Sequence, residues 1–310
     1  MGYAVETLDL TRRFGARIAV DGLNIRVERG QVFGLVGPDG AGKSTTIRLL
    51  TAAIPPSSGR ALVAGRDVAR DPEGVRARVG YVAQRFALYG DLTVGENLAF
   101  YADVFGVPET ARIRRTKELL AFSRLAEHSD RLADDLSGGM KRKLALACAL
   151  VHRPEVLFLD EPTAGVDPLS RRDLWRILGG LLGEGLTIVL STAYMDEADR
   201  CHQLAFLAEG RLVAAGSPGE LRALVGARVY EVRARPLALA RELAKDVAGI
   251  ENVQILGDRL HVFAGPGAAR AECLRSALAA GGATEIDVRE VSPSMEDAFV
   301  ALRRRRGLDG

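Results

Sequence analysis

The 310-residue sequence has little cysteine and no long uncharged apolar run. Its three cysteines, Cys148, Cys201 and Cys273, are far apart and lack the spacing of metal ligands. We therefore expect reduced thiols in a cytosolic compartment, each acting as a small buried apolar residue. A membrane-spanning helix needs about 18 or more consecutive apolar residues, and the sequence has no such run and no signal-peptide pattern at its start. Any membrane role must therefore depend on another chain.

A strong excess of either charge is also absent. Lysine and arginine together number 42, against 40 aspartates and glutamates, which gives a formal net charge of +2. The chain therefore has no overall positive electrostatic field that would attract nucleic acid or an acidic substrate. We expect no nucleic-acid partner. The length exceeds that of one typical domain, which predicts a large domain followed by a smaller one.

Short apolar runs without alternation recur through the sequence, each bounded by Gly or Asp. Such runs are typical of parallel strands buried on both faces. They occupy residues 31–36, 80–83, 156–159 and 186–190. Between them, Thr93 and Glu96 have the spacing of a capping box and open a helical pattern. We expect an α/β domain over residues 1–221, with a helical subdomain at about 91–153.

The pattern changes after about residue 221. A strand, a helix, a hairpin, a helix and a strand are indicated at residues 228–233, 237–248, 253–263, 268–280 and 285–290. This βαββαβ order predicts a small C-terminal ferredoxin-like α+β domain over residues 222–310. The basic run at residues 303–306 is predicted to be a solvated tail, and contact with anionic lipid is the alternative.

The run GPDGAGKS follows the first buried strand directly and satisfies the P-loop pattern. In such a loop, backbone N–H groups converge on phosphate oxygens, and the next helix points its positive end at the same anions. A chance match in a chain of this length has a probability of about one or two per cent. The predicted ATP-binding residues are Gly37, Pro38, Asp39, Gly40, Ala41, Gly42, Lys43, Ser44 and Thr45. Lys43 is expected to neutralise phosphate oxygens, and the Ser44 hydroxyl to bind Mg²⁺.

The buried strand VLFLDE delivers two acidic residues at its C-terminal end. Ligands of open α/β sheets bind at this end of the strands. Because the strand follows a P-loop, we interpret it as a Walker B site, in which Asp160 holds the magnesium shell and Glu161 polarises the attacking water. The alternative is that the two acids only cap the next turn.

The segment LSGGM precedes a helix with an apolar face. Ser137 has the position of an N-cap, and Gly138 and Gly139 leave backbone N–H groups open to an anion. From these residues alone, an ordinary capped helix is an equal alternative.

Together these segments resemble the ABC ATPase family. The matching segments occur in family order over roughly residues 1–220. They are GPDGAGKST, the glutamine loop around YVAQRFALYGDLT, the signature LSGGM, VLFLDEP and the aspartate loop AGVDP. The resemblance implies an ABC-type P-loop NTPase fold, ATP and Mg²⁺ as ligands, and two such domains that close head to tail. It implies that Gln84 senses the metal and the attacking water. It also implies that Ser137 and Gly139 contact the opposing nucleotide, and that Asp167 links the two sites.

Two further predictions rest on aromatic and apolar side chains at two other places in the sequence. Phe14 lies in LTRRFGARIAV, where the family stacks an aromatic ring on adenine, and such stacking needs only a π face. Core packing is the alternative for this ring. Beside the glutamine loop, Phe86, Leu88 and Tyr89 predict a docking surface for a helix of the membrane partner, with local packing as the alternative.

Within this family, the sequence resembles the ATPases of drug and polyketide exporters. LTVGENLAFYADVFG and a late VSPSMEDAFVAL carry this similarity, and LSGGMKRKLALACAL and VDPLSRRDLW resemble the first half of bacterial tandem two-ATPase exporter subunits. The similarity implies an ATP-hydrolysing exporter subunit on the cytoplasmic face of the inner membrane. Its partners would be separate transmembrane permease subunits and a second ABC ATPase domain.

One position departs from the family pattern. In LSTAYMDEAD the family places a switch histidine after Ser-Thr, but Ala193 stands there. Alanine can neither hydrogen-bond the γ-phosphate nor hold the water and Glu161 in register. His202 is nine residues further on, beyond a helical segment, and is not a substitute. We therefore expect slow hydrolysis unless a partner domain supplies its own histidine.

Two other functions stay open at this point. One is a non-transport ABC protein that remodels a nucleic acid or a ribosome, although no long coiled coil separates the P-loop from the signature and no second ATPase domain occurs. The other is the catalytically weak ATP-binding half of an asymmetric pair, which Ala193 favours. Cargo contacts would lie in the membrane subunits, so the sequence does not identify the cargo.

Overall fold

A computed structural model describes residues 2–85, 87–265 and 270–307 of the chain. Two compact units are present, Met1–Pro218 and Gly219–Gly310. The division falls slightly before residue 221, where the sequence pattern changes. No helix in the described part of the chain combines the length and the apolar character needed to span a bilayer.

The first unit contains eleven strands and seven α-helices among its described residues. Its strands are β1 (Val5–Phe14), β2 (Arg17–Leu23), β3 (Arg26–Val27), β4 (Val32–Val36), β5 (Ser58–Val63), β6 (Arg66–Asp67), β7 (Val79–Val82), β8 (Val156–Asp160), β9 (Thr187–Thr192), β10 (Gln203–Ala208) and β11 (Arg211–Gly216). Its helices are α1 (Lys43–Leu50), α2 (Pro72–Arg76), α3 (Val94–Val104), α4 (Glu109–Ser123), α5 (Gly138–Ala149), α6 (Pro168–Gly183) and α7 (Met195–Ala198).

Six strands form a mixed sheet in the order β11-β10-β4-β9-β8-β7. All neighbours from β10 to β7 are parallel, and β11 is antiparallel to β10. β4, β8 and β9 are buried along their whole length. Burial on both faces explains why their sequences do not alternate, and it confirms the predicted parallel strands with ends shifted by one or two residues. The carboxyl ends of β4, β9 and β8 therefore lie side by side at one edge.

A second, antiparallel sheet has the order β2-β1-β5-β6, and β3 pairs with β1. Apolar residues of this sheet, of β4 and of α1 form one buried cluster that includes Leu10, Val20, Leu35 and Ile47. Removing this apolar surface from water is the main stabilising contribution, at about 25 cal/mol per Å². The cluster fixes α1, and with it the P-loop, against both sheets.

The predicted helical insert consists of α3, α4 and α5, which contact one another. The capping box is present, since Thr93 accepts from the Glu96 amide and the Glu96 side chain accepts from the Thr93 amide. Leu98 and Ala102 are fully buried on the inner face of α3. Ser137 is the N-cap of α5, as its position in the sequence predicts.

The second unit contains a four-stranded antiparallel sheet of order β13-β14-β12-β15. Its elements are α8 (Pro218–Ala223), β12 (Arg228–Arg235), α9 (Leu237–Lys245), β13 (Ile250–Leu256), β14 (Arg259–Ala264), α10 (Ala271–Ala280), β15 (Thr284–Val291) and α11 (Met295–Arg305). From β12 to β15 the order is βαββαβ. Both α9 and α10 contact the sheet and share a buried core with it. Residues 268 and 269 of one predicted helix lie outside the described part of the chain.

Two expectations from the sequence are wrong. The basic run at residues 303–306 is exposed at residues 304–306, as predicted, but it is not a tail, because α11 includes its first three arginines. Arg304 donates to the Glu251 carbonyl, and Arg305 donates to the Leu224 and Val225 carbonyls. Cys273 is exposed rather than buried, whereas the other two cysteines are buried and all three are free thiols. Cys273 lies on α10 next to Leu274, which belongs to the core of the second unit, whereas the Cys273 side chain is on the exposed side of the helix.

Candidate functional site

The P-loop joins β4 to α1, and the first residue of α1 is Lys43. Its side chain is only 3% exposed. The Nζ atom donates to the carbonyls of Gly37 at 2.8 Å and Pro38 at 3.0 Å. The loop therefore holds the ammonium group in place at the positive end of α1, where an anion is stabilised by the helix and by the lysine together.

Two glycines of the loop are required by close backbone contacts. A Cβ atom on Gly37 would lie 2.2 Å from the Leu207 carbonyl oxygen. A Cβ atom on Gly42 would lie 2.5 Å from the Ala19 carbonyl oxygen, and Gly42 has a φ of +97°, a region that favours glycine. The loop can thus curl tightly, and a tight curl of this kind turns backbone N–H groups toward phosphate oxygens.

Asp160 ends β8 beside the P-loop. Its Oδ1 atom accepts hydrogen bonds from the Ser44 hydroxyl at 2.9 Å and from the Ser191 hydroxyl at 2.6 Å. Burial, and then the negative charge of Asp160, raise the pKa of the nearby Tyr81. A hydroxyl and a carboxylate in contact are oxygen ligands of the type that Mg²⁺ prefers.

The residues fit magnesium only in combination with a phosphate ligand. In the described part of the chain, no three His, Cys, Asp or Glu side chains are grouped as a metal site. Mg²⁺ usually keeps several waters and takes one or two protein ligands together with substrate phosphates. Ser44 and Asp160 supply that smaller number.

Glu161 follows Asp160 and lies between two predicted site residues. Its Oε1 atom is 3.3 Å from Lys43 Nζ, and its Oε2 atom accepts from Gln84 Nε2 at 2.8 Å. The backbone φ of Glu161 is +48°, in the left-handed region, and its amide donates to the Ser191 hydroxyl at 2.9 Å. The structure therefore brings together five residues from three segments that are distant in sequence: Lys43, Ser44, Gln84, Asp160 and Glu161.

The signature residues lie at the start of α5. The Ser137 hydroxyl accepts from the Met140 amide at 3.3 Å, and Ser137 and Gly138 are exposed. A Cβ atom on Gly139 would lie 3.2 Å from the Ser170 hydroxyl oxygen, so the first turns of α5 and α6 are close together. None of the described contacts joins Ser137 to the cluster around Lys43.

Asp167 is the N-cap of α6. Its carboxylate accepts from the amides of Leu169 and Ser170, each at 3.0 Å. Hydrogen bonds with Ser170 lower the pKa of Asp167, so the carboxylate stays charged at the N-terminus of the helix. Among the described residues, no contact places Asp167 in the cluster around Lys43 either.

Comparisons with known proteins decide the family. The ABC transporter family profile matches residues 20–164. The daunorubicin/doxorubicin resistance ATP-binding protein DrrA of Streptomyces peucetius is 38% identical over 96% of this chain and 92% of its own length. The chain belongs to the ABC transporter ATP-binding proteins. The predicted family and the predicted ABC-type P-loop fold are therefore confirmed.

Other similar proteins cover less of the chain. The probable multidrug ABC transporter ATP-binding protein YbhF of Escherichia coli (strain K12) is 43% identical over 71% of this chain, which spans only 38% of the length of YbhF. Among solved structures, CbiO1 from Clostridium perfringens, part of the ABC transporter complex CbiONQ, is 30% identical with a TM-score of 0.66. That comparison covers 72% of this chain and 92% of CbiO1.

Phe14 lies at the end of β1 in this ABC protein, opposite Arg17 on β2. Its ring is 48% exposed, and the Arg12 guanidinium lies 4.6 Å from the ring centroid. The same hairpin reaches the P-loop, because the Ala19 carbonyl is the group that crowds Gly42. Exposure and position are compatible with adenine stacking, and core packing is excluded.

Ala193 stands where the ABC family places its switch histidine, and the segment around it lies directly against the P-loop. The Thr192 carbonyl accepts from the Gly37 amide at 3.2 Å, and Ala193 follows as an exposed residue. His202 lies at the opposite end of the sheet, because its Nδ1 atom accepts from the amide of Val32, the first residue of β4. The structure therefore agrees that His202 does not substitute for the missing histidine.

The sequence did not indicate two residues that organise this site. Ser191 is fully buried and connects Asp160 with the Glu161 amide. Asn97 is fully buried on α3, where its amide donates to the Tyr89, Leu92 and Thr93 carbonyls. A hydroxyl at the end of a buried strand, or an amide on an apolar helix face, is the signal that could have found them.

The segment after Gln84 borders a cavity of about 850 Å³. Leu88 lines it together with Val82, Val104, Phe105 and His152. The His152 ring stacks on Phe105 with centroids 3.7 Å apart, and burial lowers the pKa of His152 to about 4, so this wall is uncharged near pH 7.

The other two predicted docking residues have different positions. Tyr89 is 45% exposed, and its ring packs edge-on against Phe100 with centroids 4.5 Å apart. Phe86 lies outside the described residues. The Asn97 side chain makes two hydrogen bonds to the Tyr89 backbone: its Oδ1 atom accepts from the Tyr89 amide, and its Nδ2 atom donates to the Tyr89 carbonyl.

Proposed function

We propose that the chain binds ATP with Mg²⁺ at the carboxyl ends of β4 and β8 and hydrolyses it as one ATPase of an exporter. The observation that carries this proposal is the convergence of Lys43, Asp160 and Glu161 at one sheet edge, with Gln84 bonded to Glu161. Parallel α/β sheets bind their ligands at this edge.

The phosphates would bind to the P-loop backbone and to Lys43. Lysine presents three donors on one ammonium group, two of which satisfy loop carbonyls. The remaining side of the ammonium group faces the Glu161 carboxylate at 3.3 Å, and phosphate oxygens would bind there. Because the ammonium group is buried and already held, little side-chain entropy is lost when an anion arrives.

Ser44 and Asp160 would hold Mg²⁺, the hydroxyl directly and the carboxylate through water. When bound, the ion supplies positive charge that stabilises the phosphate oxygens during transfer. The Ser191 hydroxyl keeps the Asp160 carboxylate oriented toward Ser44.

Glu161 would polarise the attacking water. One of its oxygens faces Lys43, where the terminal phosphate would lie, and the other accepts from the Gln84 amide. A carboxylate in this position can accept a proton from water at hydrogen-bond distance, and such general-base assistance contributes about 10²–10⁴-fold to rates. Gln84 would hold the carboxylate and the water in register.

A titration of the purified chain tests this proposal. ATP binding is expected to saturate, and phosphate release is expected to require Mg²⁺, because the ion would supply the positive charge that stabilises the phosphate oxygens during transfer. Isothermal calorimetry with ATP, followed by a phosphate-release assay with Mg²⁺ or with EDTA, measures both. Absence of ATP binding, or phosphate release that is equal in EDTA, would contradict the proposal.

A second ABC ATPase domain would complete the site. Ser137, Gly138 and Gly139 lie at the start of α5, where Ser137 and Gly138 are exposed, and helix starts bind anions. Asp167 starts the neighbouring α6, close to α5. Across a head-to-tail pair, the signature would bind the opposing nucleotide, and Asp167 would link the two sites.

The partners in the membrane would be separate permease subunits. The cavity beside Leu88 has an apolar wall and a volume that accepts side chains of a short helix. Names of relatives such as the multidrug protein YbhF and the drug-resistance protein DrrA favour export. The chain would then lie on the cytoplasmic face of the inner membrane, held there by its permease.

The variant Leu88→Asp is expected to release the chain from membranes that contain its permease. A charged carboxylate at position 88 would have to be desolvated when an apolar helix docks, which would weaken docking. Co-sedimentation of the chain with these membranes measures the effect. The matched control is Ile113→Asp, because Ile113 is 72% exposed and does not line the cavity. Equal retention of Leu88→Asp and the control would contradict docking in this cavity, provided that both variants bind ATP normally.

A weak hydrolytic site within an asymmetric pair is the second candidate. Ala193 favours it, because the exposed methyl group beside the P-loop cannot hydrogen-bond a phosphate or a water. Ground-state contacts of ATP would be kept, since Lys43 and the loop amides provide them. Turnover would depend on a partner domain with its own switch histidine.

Ala193→His is expected to raise the steady-state ATPase rate of the purified chain at least about tenfold, or about 1.4 kcal/mol of barrier, with little change in ATP affinity. An imidazole at this position acts near the transition state, where misplacement of the reacting groups by about 1 Å costs roughly a hundredfold. Rapid turnover of the unmodified chain without any gain from histidine would show that another group compensates.

A further inference from the structure

Glu197 is a buried carboxylate that the site described above does not use. Its side chain on α7 is 1% exposed. An ionised carboxylate in such a place needs charged or hydrogen-bonding partners. The Thr192 hydroxyl donates to Oε2 at 2.7 Å, and Arg171 Nη2 donates to Oε1 at 3.1 Å. Both oxygens of Glu197 are therefore occupied by residues of other elements.

The Arg171 contact connects Glu197 with α6. Arg171 lies one turn after Asp167, and its amide donates to the Asp167 carbonyl at 3.0 Å. Its guanidinium lies 4.5 Å from the centroid of the Tyr194 ring and 3.5 Å from the Asp196 carboxylate. One arginine of α6 thus contacts three residues that closely follow Ala193.

A second arginine, which is buried, lies on α5, the helix that starts with the signature. Arg142 is 9% exposed and donates to the Pro162 carbonyl, one residue after Glu161. Burial lowers the pKa of Arg142, and the negative charge of Glu197 opposes this effect. The contact with Pro162 places an arginine of α5 beside the turn that follows Glu161.

The Thr192 contact connects Glu197 with the phosphate site. The Thr192 carbonyl accepts from the Gly37 amide, and the preceding Ser191 bonds to Asp160 and to the Glu161 amide. Residues 191 and 192 therefore contact the P-loop, Asp160 at the end of β8 and the amide of the following Glu161. We call residues 191–194 the switch segment.

We propose that Glu197 is a positioning residue for ATP hydrolysis, which fixes the switch segment relative to α6. The inference rests on the proposed ATPase function. The N-terminus of α6 carries Asp167, which is expected to link the two ATPase sites. Through Arg171, one turn inside α6, Glu197 ties this helix to Thr192. Thr192 is the neighbour of the serine that contacts Asp160 and the Glu161 amide. With alanine at position 193, this attachment locates the switch segment without help from an imidazole.

Glu197→Gln tests the proposal with the smallest change. The amide keeps an acceptor for the Thr192 hydroxyl but loses the charge that faces Arg171. We expect kcat to fall at least about tenfold, since small displacements of reacting groups are costly. ATP affinity should stay within about twofold, because Lys43 and the loop amides do not contact Glu197. Rates are expressed per ATP-binding site, so that unfolded protein does not contribute.

The matched control is Asp196→Asn. Asp196 is the neighbouring acid and also faces Arg171, but it is 71% exposed and makes no described contact with Thr192. We expect both kcat and ATP affinity of this variant to stay within about twofold of the unmodified chain. An equal loss of kcat in both variants would show that the charge on Arg171 matters and that the link to Thr192 does not, which overturns the proposal.

A double variant separates positioning from stability. Glu197→Gln alone leaves Arg171 with less compensation, which lowers the melting temperature, whereas Glu197→Gln with Arg171→Met removes both charges and restores it. We expect kcat to stay low in the double variant although the melting temperature recovers. Recovery of kcat together with the melting temperature would show that Glu197 is only structural.

All variants are also measured in the Ala193→His background, where turnover is faster. A tenfold loss with unchanged affinity in either background supports the proposal, and no loss in both overturns it. Failure of the ATPase function itself has a different signature. In that case neither the unmodified chain nor Ala193→His hydrolyses ATP, whatever residue occupies position 197.

Discussion

Replacing Lys43 with alanine is expected to weaken ATP binding at least about a hundredfold. Hydrogen bonds to charged groups contribute about 1.5–3 kcal/mol each, and a hundredfold change corresponds to about 2.8 kcal/mol. The ammonium group is buried and held by two loop carbonyls, so no other side chain takes its place without rearrangement. Removing one such hydrogen bond to phosphate, together with the positive charge that makes it, accounts for the required free energy.

The loss is increased by the position of Glu161. Its carboxylate lies 3.3 Å from Lys43 Nζ, and only 14% of its side chain is exposed. Without the lysine, this negative charge would face the phosphates with no cation between them. Two negative charges that are close together repel strongly when water is largely excluded.

Equilibrium titration with a fluorescent ATP analogue measures the effect. Lys245→Ala serves as the control, because Lys245 is a surface residue of the second unit that bonds to the Glu242 carboxylate. Its ATP affinity should equal that of the unmodified chain. Normal affinity of the Lys43→Ala variant would show that the P-loop is not the phosphate site.

Glu161→Gln is expected to lower kcat at least about a hundredfold while ATP affinity is kept or improved. The amide matches the carboxylate in size but cannot accept a proton, and general-base assistance contributes about 10²–10⁴-fold. Removing the negative charge beside Lys43 also removes repulsion toward the phosphates. Binding and turnover should therefore change in opposite directions, which distinguishes this residue from Lys43.

Phosphate release and ATP titration of the same preparation measure both quantities. The control is Glu155→Gln. Glu155 precedes β8 at the opposite end of the strand and pairs on the surface with Arg29 and Arg78. Its kcat should change by less than about twofold. An unchanged kcat in Glu161→Gln would mean that another group activates the water.

The sequence predicts those parts of the site that adjoin one another along the chain. The P-loop follows β4 immediately, and the two acidic residues stand at the end of β8, so local pattern alone places them at a sheet edge. The contact between Gln84 and Glu161 joins residues 77 positions apart. No periodicity predicts such a pair, and only the resemblance to the ABC ATPase family indicated Gln84.

Residues whose partners come from other elements could not be predicted. Ser191 and Glu197 are polar positions in or beside apolar runs, and their meaning depends on which side chains the fold brings to them. Exposure is similarly decided by the fold, as Cys273 shows, since its helix turns other residues toward the core. Composition gives the average behaviour of a residue type, and tertiary packing decides the individual case.

The backbone conformation of Glu161 has a consequence for how this chain can evolve. A φ of +48° is common for glycine and costs other residues about 1–2 kcal/mol. Selection for stability alone would therefore favour glycine at this position, and the carboxylate would be lost. Retention of glutamate at position 161 therefore indicates selection for a property other than folding stability. In a lineage that no longer needs ATP turnover, we expect replacement of Glu161 by glycine to be among the first substitutions.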